Sequence, residues 1–419
     1  MNQITKFSNG VSLQIINDKK FKTASISVNF ISKLDKKSVT YNSLLPYVLK
    51  RGCKNYNNTI ELNKYLDELY ASKIACNISK CGDNQLISFT GITVSDIYAD
   101  NDKPFEKLIR LIYDILFVPY VKDNAFDKSY VEREKENLKI FIDGVKNDKR
   151  EYTRKRLIEE MYKDTPYSLY SYGDTDTLKS IDESNLYEFY EESFKNSLFS
   201  IVVAGSIDET STEKLVSELF GNATQSHDYN SIYSTDANNE ANEIIEPSDV
   251  TQSKLAIGYK TNVTKGSQLY FAMMMFDNLF GGSVHSKLFL NVREKLSLAY
   301  YAASRYNSLK GYVLVDSGIE TKNYELARDE IAWQLEDMKN GNFTDKDIEF
   351  SKLAIINSYN SAKDSLASLL NYYSSAPVSE KIYEIDEIIE EIKKVTKEEI
   401  IKAANTVNID TIFLLKGRE

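Results

Sequence analysis

The chain has 419 residues, 42% of them hydrophobic and 27% charged, and carries a net charge of −10 at neutral pH. That length exceeds one ordinary core, so two domains of roughly 200 residues each are expected, and the composition is globular rather than disordered. The acidic balance excludes a nucleic-acid backbone or an anionic membrane as main partner, and no apolar run approaches the ~20 residues that span a bilayer. The opening Met1-Asn2-Gln3-Ile4-Thr5-Lys6 has no apolar region of the signal-peptide kind. Three cysteines, Cys53, Cys76 and Cys81, fit a reducing compartment better than a disulfide framework, and the cytoplasm is the expected location. Cys76 and Cys81 have no matching pair elsewhere, so they read as small buried side chains rather than as a metal knuckle.

The first expected element is a half-buried strand at 23–31, where Ala24, Ile26, Val28 and Phe30 alternate on one face. A helix follows at 38–50. Asn58 and Glu61 open another as an imperfect capping box, with Leu62, Tyr65, Leu66 and Leu69 as its apolar stripe. Strands are expected at 73–78 and 85–92, then a helix after Pro104 that buries Phe105, Leu108, Ile109 and Ile112. A long charged helix is expected from Asp123 to Val145, with Glu132-Arg133-Glu134-Lys135-Glu136 as a solvated face. Ile181-Asp182 starts a further helix, and 198–204 is an apolar strand. From 222 to 250 the composition turns polar and loses its apolar period, which predicts a linker.

Beyond the linker the order repeats. Leu255, Ile257 and Tyr259 alternate as a strand, a helix at 321–338 answers the one after Pro104, and Thr344–Asp347 caps a long helix in the position Asp123 holds earlier. Val395-Thr396 echoes Ile181-Asp182, Thr396 and Glu399 form a capping box, and 411–415 closes the chain as a strand. The expected fold class is α+β, with two homologous domains, each a mostly antiparallel sheet with helices packed on one face. The expected boundaries are 1–221 and 251–419, joined by the linker.

The most specific stretch is Phe280-Gly281-Gly282-Ser283-Val284-His285-Ser286-Lys287-Leu288-Phe289, continuing through Val292-Arg293-Glu294-Lys295 to Leu298-Ala299-Tyr300-Tyr301. Two glycines loosen the backbone, an amphipathic turn follows, and strands are expected at 298–306 and 312–315. Arg293 and Tyr300 stand seven residues apart across a helix-to-strand junction, a spacing able to aim a guanidinium and a phenol at one cleft. The run resembles the second half of the insulinase/pitrilysin family of zinc peptidases. That resemblance implies roles for Arg293 and Tyr300 on substrate: Tyr300 as donor to the oxyanion and Arg293 as holder of a substrate carbonyl or carboxylate. It also implies that Gly281, Gly282 and Ser283 lie along bound substrate. The plainer reading pairs Arg293 with Glu294 and leaves Tyr300 at the edge of the core. His285 reads as a local hydrogen-bonding residue, and Met273-Met274-Met275 as core filling.

In that family the first half carries His-x-x-Glu-His on a helix, where two histidines and a downstream glutamate hold zinc and the motif's glutamate serves as base. Aligning the family pattern on Arg51-Gly52 puts Ser43, Leu44, Leu45, Pro46 and Tyr47 at these positions. Ser43 and Tyr47 are not usual zinc ligands, and Pro46 has no carboxylate. The third ligand falls near Ile140-Phe141, again without one. The sequence holds only two histidines, His227 and His285, at unrelated places. No metal site is expected in this chain. Asp174 with Asp176, and Glu191 with Glu192, sit in polar stretches and read as surface.

A kept Arg–Tyr half-site beside an erased metal motif looks like the motif-less chain of the two-subunit bacterial branch. The implied role is a catalytically incomplete, cytoplasmic subunit that forms a heterodimer with a zinc-bearing partner and acts on small peptides, the zinc residing in the partner. Two other readings stay open: a non-catalytic scaffold of the same fold, and a homodimeric clamp that captures peptides on a sheet edge.

Overall fold

In the computed structural model, which describes residues 3–7, 11–223, 241–379 and 381–418, the alternation at 23–31 becomes the centre of a six-stranded sheet. Its strands are β1 (Gln3–Lys6), β2 (Ser12–Asn17), β3 (Thr23–Lys33), β4 (Lys73–Cys81), β5 (Asn84–Val94) and β6 (Leu198–Gly205), in spatial order β1-β2-β6-β3-β5-β4. Only β2 and β6 run parallel. Ala24, Ile26, Val28 and Phe30 join Phe89, Phe199 and Ile201 in one core under the helices Val39–Leu49 and Pro104–Phe117. The Phe30 and Phe194 rings stack there at 4.5 Å. The opposite face of β3 is polar and also covered. Ser25, Ser27 and Asn29 are buried, and helix Leu366–Ser374 packs across β3 and β6.

The second sheet repeats this plan. Its strands are β7 (Asn242–Pro247), β8 (Ser253–Lys260), β9 (Ala299–Asn307), β10 (Tyr312–Ile319) and β11 (Asn408–Lys416), ordered β7-β11-β8-β10-β9, with β7 and β11 the parallel pair. Strand for strand this matches β2-β6-β3-β5-β4, which makes the α+β domain a duplicated one. Thr344 with Asp347 and Thr396 with Glu399 form reciprocal capping boxes. Helix Lys149–Met161 belongs to this second unit and lies on β8 and β11. Gly258 of β8 permits that approach, since a Cβ there would sit 2.6 Å from the Met161 sulfur. Likewise, helix Leu366–Ser374 is assigned to the first unit.

Three local expectations need correction. The charged helix spans Lys128–Gly144 rather than starting at Asp123. Asp123 and Asn124 hold φ of 54° and 58°, a left-handed turn, and the Asp127 carboxylate instead accepts the Ser129 and Tyr130 N–H groups. Within its acidic run Glu134 is buried, because it shares the inward stripe of Val131 and Leu138. The stretch expected as linker contains strand β7; its Glu-Ile-Ile-Glu pattern suits an edge strand paired on one side only. Among the described residues no helix is long and apolar enough to cross a membrane.

Candidate functional site

The glycine-rich stretch does not continue as ordinary helix. After helix Tyr270–Asp277, whose Met273 and Met275 are buried, the residues Asn278–Gly282 take a π-helical turn, and Leu288–Lys295 forms a second π-helical segment. Such wide turns are rare and concentrate at functional sites. Gly281 is buried, and a Cβ on it would meet the Ser304 amide nitrogen at 2.4 Å and Leu288 Cδ1 at 2.8 Å. The close approach it permits is therefore by the chain's own strand β9. Gly281 was expected along bound substrate; here the space over its α-carbon is filled by Ser304 of β9 and by Leu288. Gly282 and Ser283 are more open and line a cavity of about 430 Å³ with Asp277, Tyr270, Tyr306 and Tyr359. Ser304 Oγ donates to the Asp277 carboxylate at 2.6 Å, and burial pushes that carboxyl above its usual range.

Arg293 lies in the last turn of the second π-helical segment, where Val292 and Leu288 are buried. Its guanidinium lies 4.6 Å from the centre of the Phe289 ring and its Nε 3.5 Å from a Glu294 carboxylate oxygen. The pairing with Glu294 is thus present, with both side chains about half exposed. Ser297 turns the chain with φ of 51°, Leu298 N–H returns to the Val292 carbonyl at 2.9 Å, and β9 begins. Opposite β10, Ala299 faces Ile319 and Tyr301 faces Gly318, so Tyr300 is the extra residue of a β-bulge on an edge strand. Bulges re-aim side chains and often stand beside active sites. Tyr300 is 54% exposed and makes no hydrogen bond with any described residue. Its neighbour Tyr301 is half-buried: Arg150 lies 4.2 Å from its ring, and both Arg150 and Arg154 pair with buried Asp316. Arg293 and Tyr300 are not among the residues lining the Gly282–Ser283 cavity. His285 is exposed and stacks on Phe350 at 5.6 Å; His227 lies outside the described residues.

In the first unit, Ser43, Pro46 and Tyr47 occupy helix Val39–Leu49. Ser43 is fully buried, with Oγ 2.8 Å from the Val39 carbonyl, 3.0 Å from the Ser171 carbonyl and 2.9 Å from Gln85 Nε2, which donates to it. It is packed as a structural hydroxyl. Tyr47 lies beside Tyr172, whose ring is 4.4 Å from that of Phe141, and burial raises the Tyr47 phenol above its usual range. Ile140 and Phe141, the expected place of a third ligand, are exposed. The carboxylate that does reach this region is Glu134, held by an ion pair with Arg51. Sequence reading placed it on a solvated face, although its spacing with Val131 and Leu138 sets it on their side of the helix. Among the described residues no group of three His, Cys, Asp or Glu side chains is placed to hold a metal ion.

A family model described as the peptidase M16 inactive domain matches residues 180–355. The Bacillus subtilis (strain 168) protein called probable inactive metalloprotease YmfF is 37% identical over 420 residues, covering 100% of this chain and 99% of its own. A conserved protein from Enterococcus faecalis V583 has a crystal structure that superposes with a TM-score of 0.91 at 28% identity, over 100% of this chain and 99% of that one. The peptidase M16 inactive domain from Pseudomonas fluorescens shares the fold, with a TM-score of 0.80 at 14% identity over 100% and 98%. These likenesses define a metalloprotease-like protein of the M16 type. The chain belongs to the peptidase M16 family, of the insulinase/pitrilysin type, on the side of that family lacking the His-x-x-Glu-His motif.

Proposed function

We propose that this chain is the non-metal subunit of a heterodimeric, cytoplasmic zinc peptidase acting on small peptides, and that Arg293 and Tyr300 work on substrate at the partner's zinc. The observation that carries this reading is the junction itself. A π-helical segment and a β-bulge hold a guanidinium and a phenol on exposed, adjoining elements, and the phenol has no hydrogen bond within the described chain. Stacking on Phe289 limits the freedom of Arg293, so less entropy is lost when its fork meets a carbonyl or carboxylate. Tyr300, as a neutral donor, would stabilise the developing oxyanion.

The test mixes the chain with a zinc-bearing M16 subunit and follows cleavage of a fluorogenic peptide. The chain alone is expected to be inactive, and the pair active. Tyr300→Phe is expected to lower kcat by about 10²–10³, the usual effect of losing an oxyanion donor. Arg293→Ala is expected to lower kcat/KM with complex formation unchanged by sedimentation. Full turnover in both variants would refute the role. The Arg293–Glu294 pair favours a second reading, a scaffold with no part in catalysis. Equal rates for the zinc subunit with and without this chain would establish that reading instead.

A further inference from the structure

The erased metal motif borders a cavity of about 210 Å³ within the first unit. Lys50, Arg51 and Glu134 supply its charge, and Leu62, Leu66 and Ile115 give it an aliphatic wall. Arg51 and Glu134 neutralise each other in an ion pair. Lys50 is half-buried, and its ammonium makes no ion pair or hydrogen bond with any described residue. The other titratable groups near it are Tyr47, which lines the cavity, and the thiol of Cys76 on edge strand β4. Burial pushes the Cys76 thiol up to about 11 and keeps the Tyr47 phenol protonated, so neither supplies Lys50 with a counter-charge at neutral pH. One positive charge is left over beside an apolar surface.

We propose that this cavity binds the carboxylate of a terminal aliphatic residue, with Lys50 as counter-charge and Leu62, Leu66 and Ile115 against the side chain. A half-desolvated ammonium facing a hollow favours an anion, and the aliphatic wall selects one attached to a branched hydrocarbon. The volume lies below the ~300 Å³ of pockets for larger ligands, which suits a single residue. Asn63, also in the lining, is placed to serve the remaining carboxylate or amide group. The site is separate from Arg293 and Tyr300, so either reading stands or falls without the other.

The same chemistry is offered by a peptide C-terminus and by a free branched-chain acid. Titration calorimetry on the full chain compares N-acetyl-glycyl-leucine, its C-terminal amide and 4-methylpentanoate. The free acid dipeptide is expected to bind at least about tenfold more tightly than the amide, the difference that one charge-assisted contact makes. Lys50→Gln is expected to remove that preference and Lys50→Arg to keep it. Binding of 4-methylpentanoate as tight as the dipeptide assigns the site to free acids; much weaker binding assigns it to peptide ends. Equal binding of acid and amide by the unaltered protein, no binding of any of the three at millimolar concentration, or an unchanged preference in Lys50→Gln overturns the proposal.

Discussion

Glu134 sits in a run of charges, yet the helix turns it inward with Val131 and Leu138 while Glu132, Arg133 and Glu136 face solvent. A carboxylate so placed is tolerable because Arg51 pairs with it and Asn137 donates to its other oxygen at 3.1 Å. Arg51→Met is therefore expected to cost about 3–5 kcal/mol in urea unfolding, because it leaves a buried charge unpaired. Adding Glu134→Leu is expected to recover most of that loss. Cys76 offers a test by pH. Its thiol is raised to about 11, burial being the largest cause, with Lys50 opposing and Glu134 reinforcing. The raised value keeps the thiolate scarce below that pH. Iodoacetamide labelling at pH 8 is expected to run about a hundredfold slower than for a free thiol, and to keep accelerating as the pH is raised past 9. Rapid labelling at pH 8 would show the thiol to be open. Asp174 and Glu191, read from sequence as surface groups, are a helix cap and the partner of Lys195.

At the scale of elements, the glycine-rich stretch was legible as a motif but not as geometry. A period of 3.6 predicts an ordinary amphipathic turn, and nothing in apolar spacing announces the wider π-helical path or the extra residue at Tyr300. Between them lies the close approach of Gly281 to β9. Gly281→Ala is expected to lower stability by about 1–3 kcal/mol in thermal unfolding, because the added methyl must push Ser304 or Leu288 aside. Gly282→Ala is expected to cost less, its nearest obstacle being the Asp277 carbonyl at 3.1 Å. In the reconstituted pair, Gly281→Ala is also expected to lower turnover by disturbing the junction that carries Arg293 and Tyr300. Capping boxes were legible because they need only two residues three apart. The start of the helix at Lys128 was not, since Asp123 and Asp127 look alike until the turn at 123–124 is known.

Across the whole molecule, each sheet has its apolar helices on one face and a single helix on the other, and that helix comes from the opposite half of the chain. A fragment of residues 241–419 lacks helix Lys149–Met161, whose Leu157 and Met161 are buried. It is expected to bind the dye ANS and unfold without a sharp transition, and a peptide of residues 144–168 added in excess is expected to reverse both. A cooperative transition in the fragment alone would show that the helix is dispensable. The duplicated order of strands and helices and the Arg293–Tyr300 spacing were both set by sequence, because each rests on local periodicity or on residue type. Tertiary structure alone decided which sheet Lys149–Met161 covers, that Gly281 makes room for β9, and that Glu134 meets Arg51 beside Lys50. Those outcomes follow from contacts between segments far apart in the chain, and no local pattern encodes them.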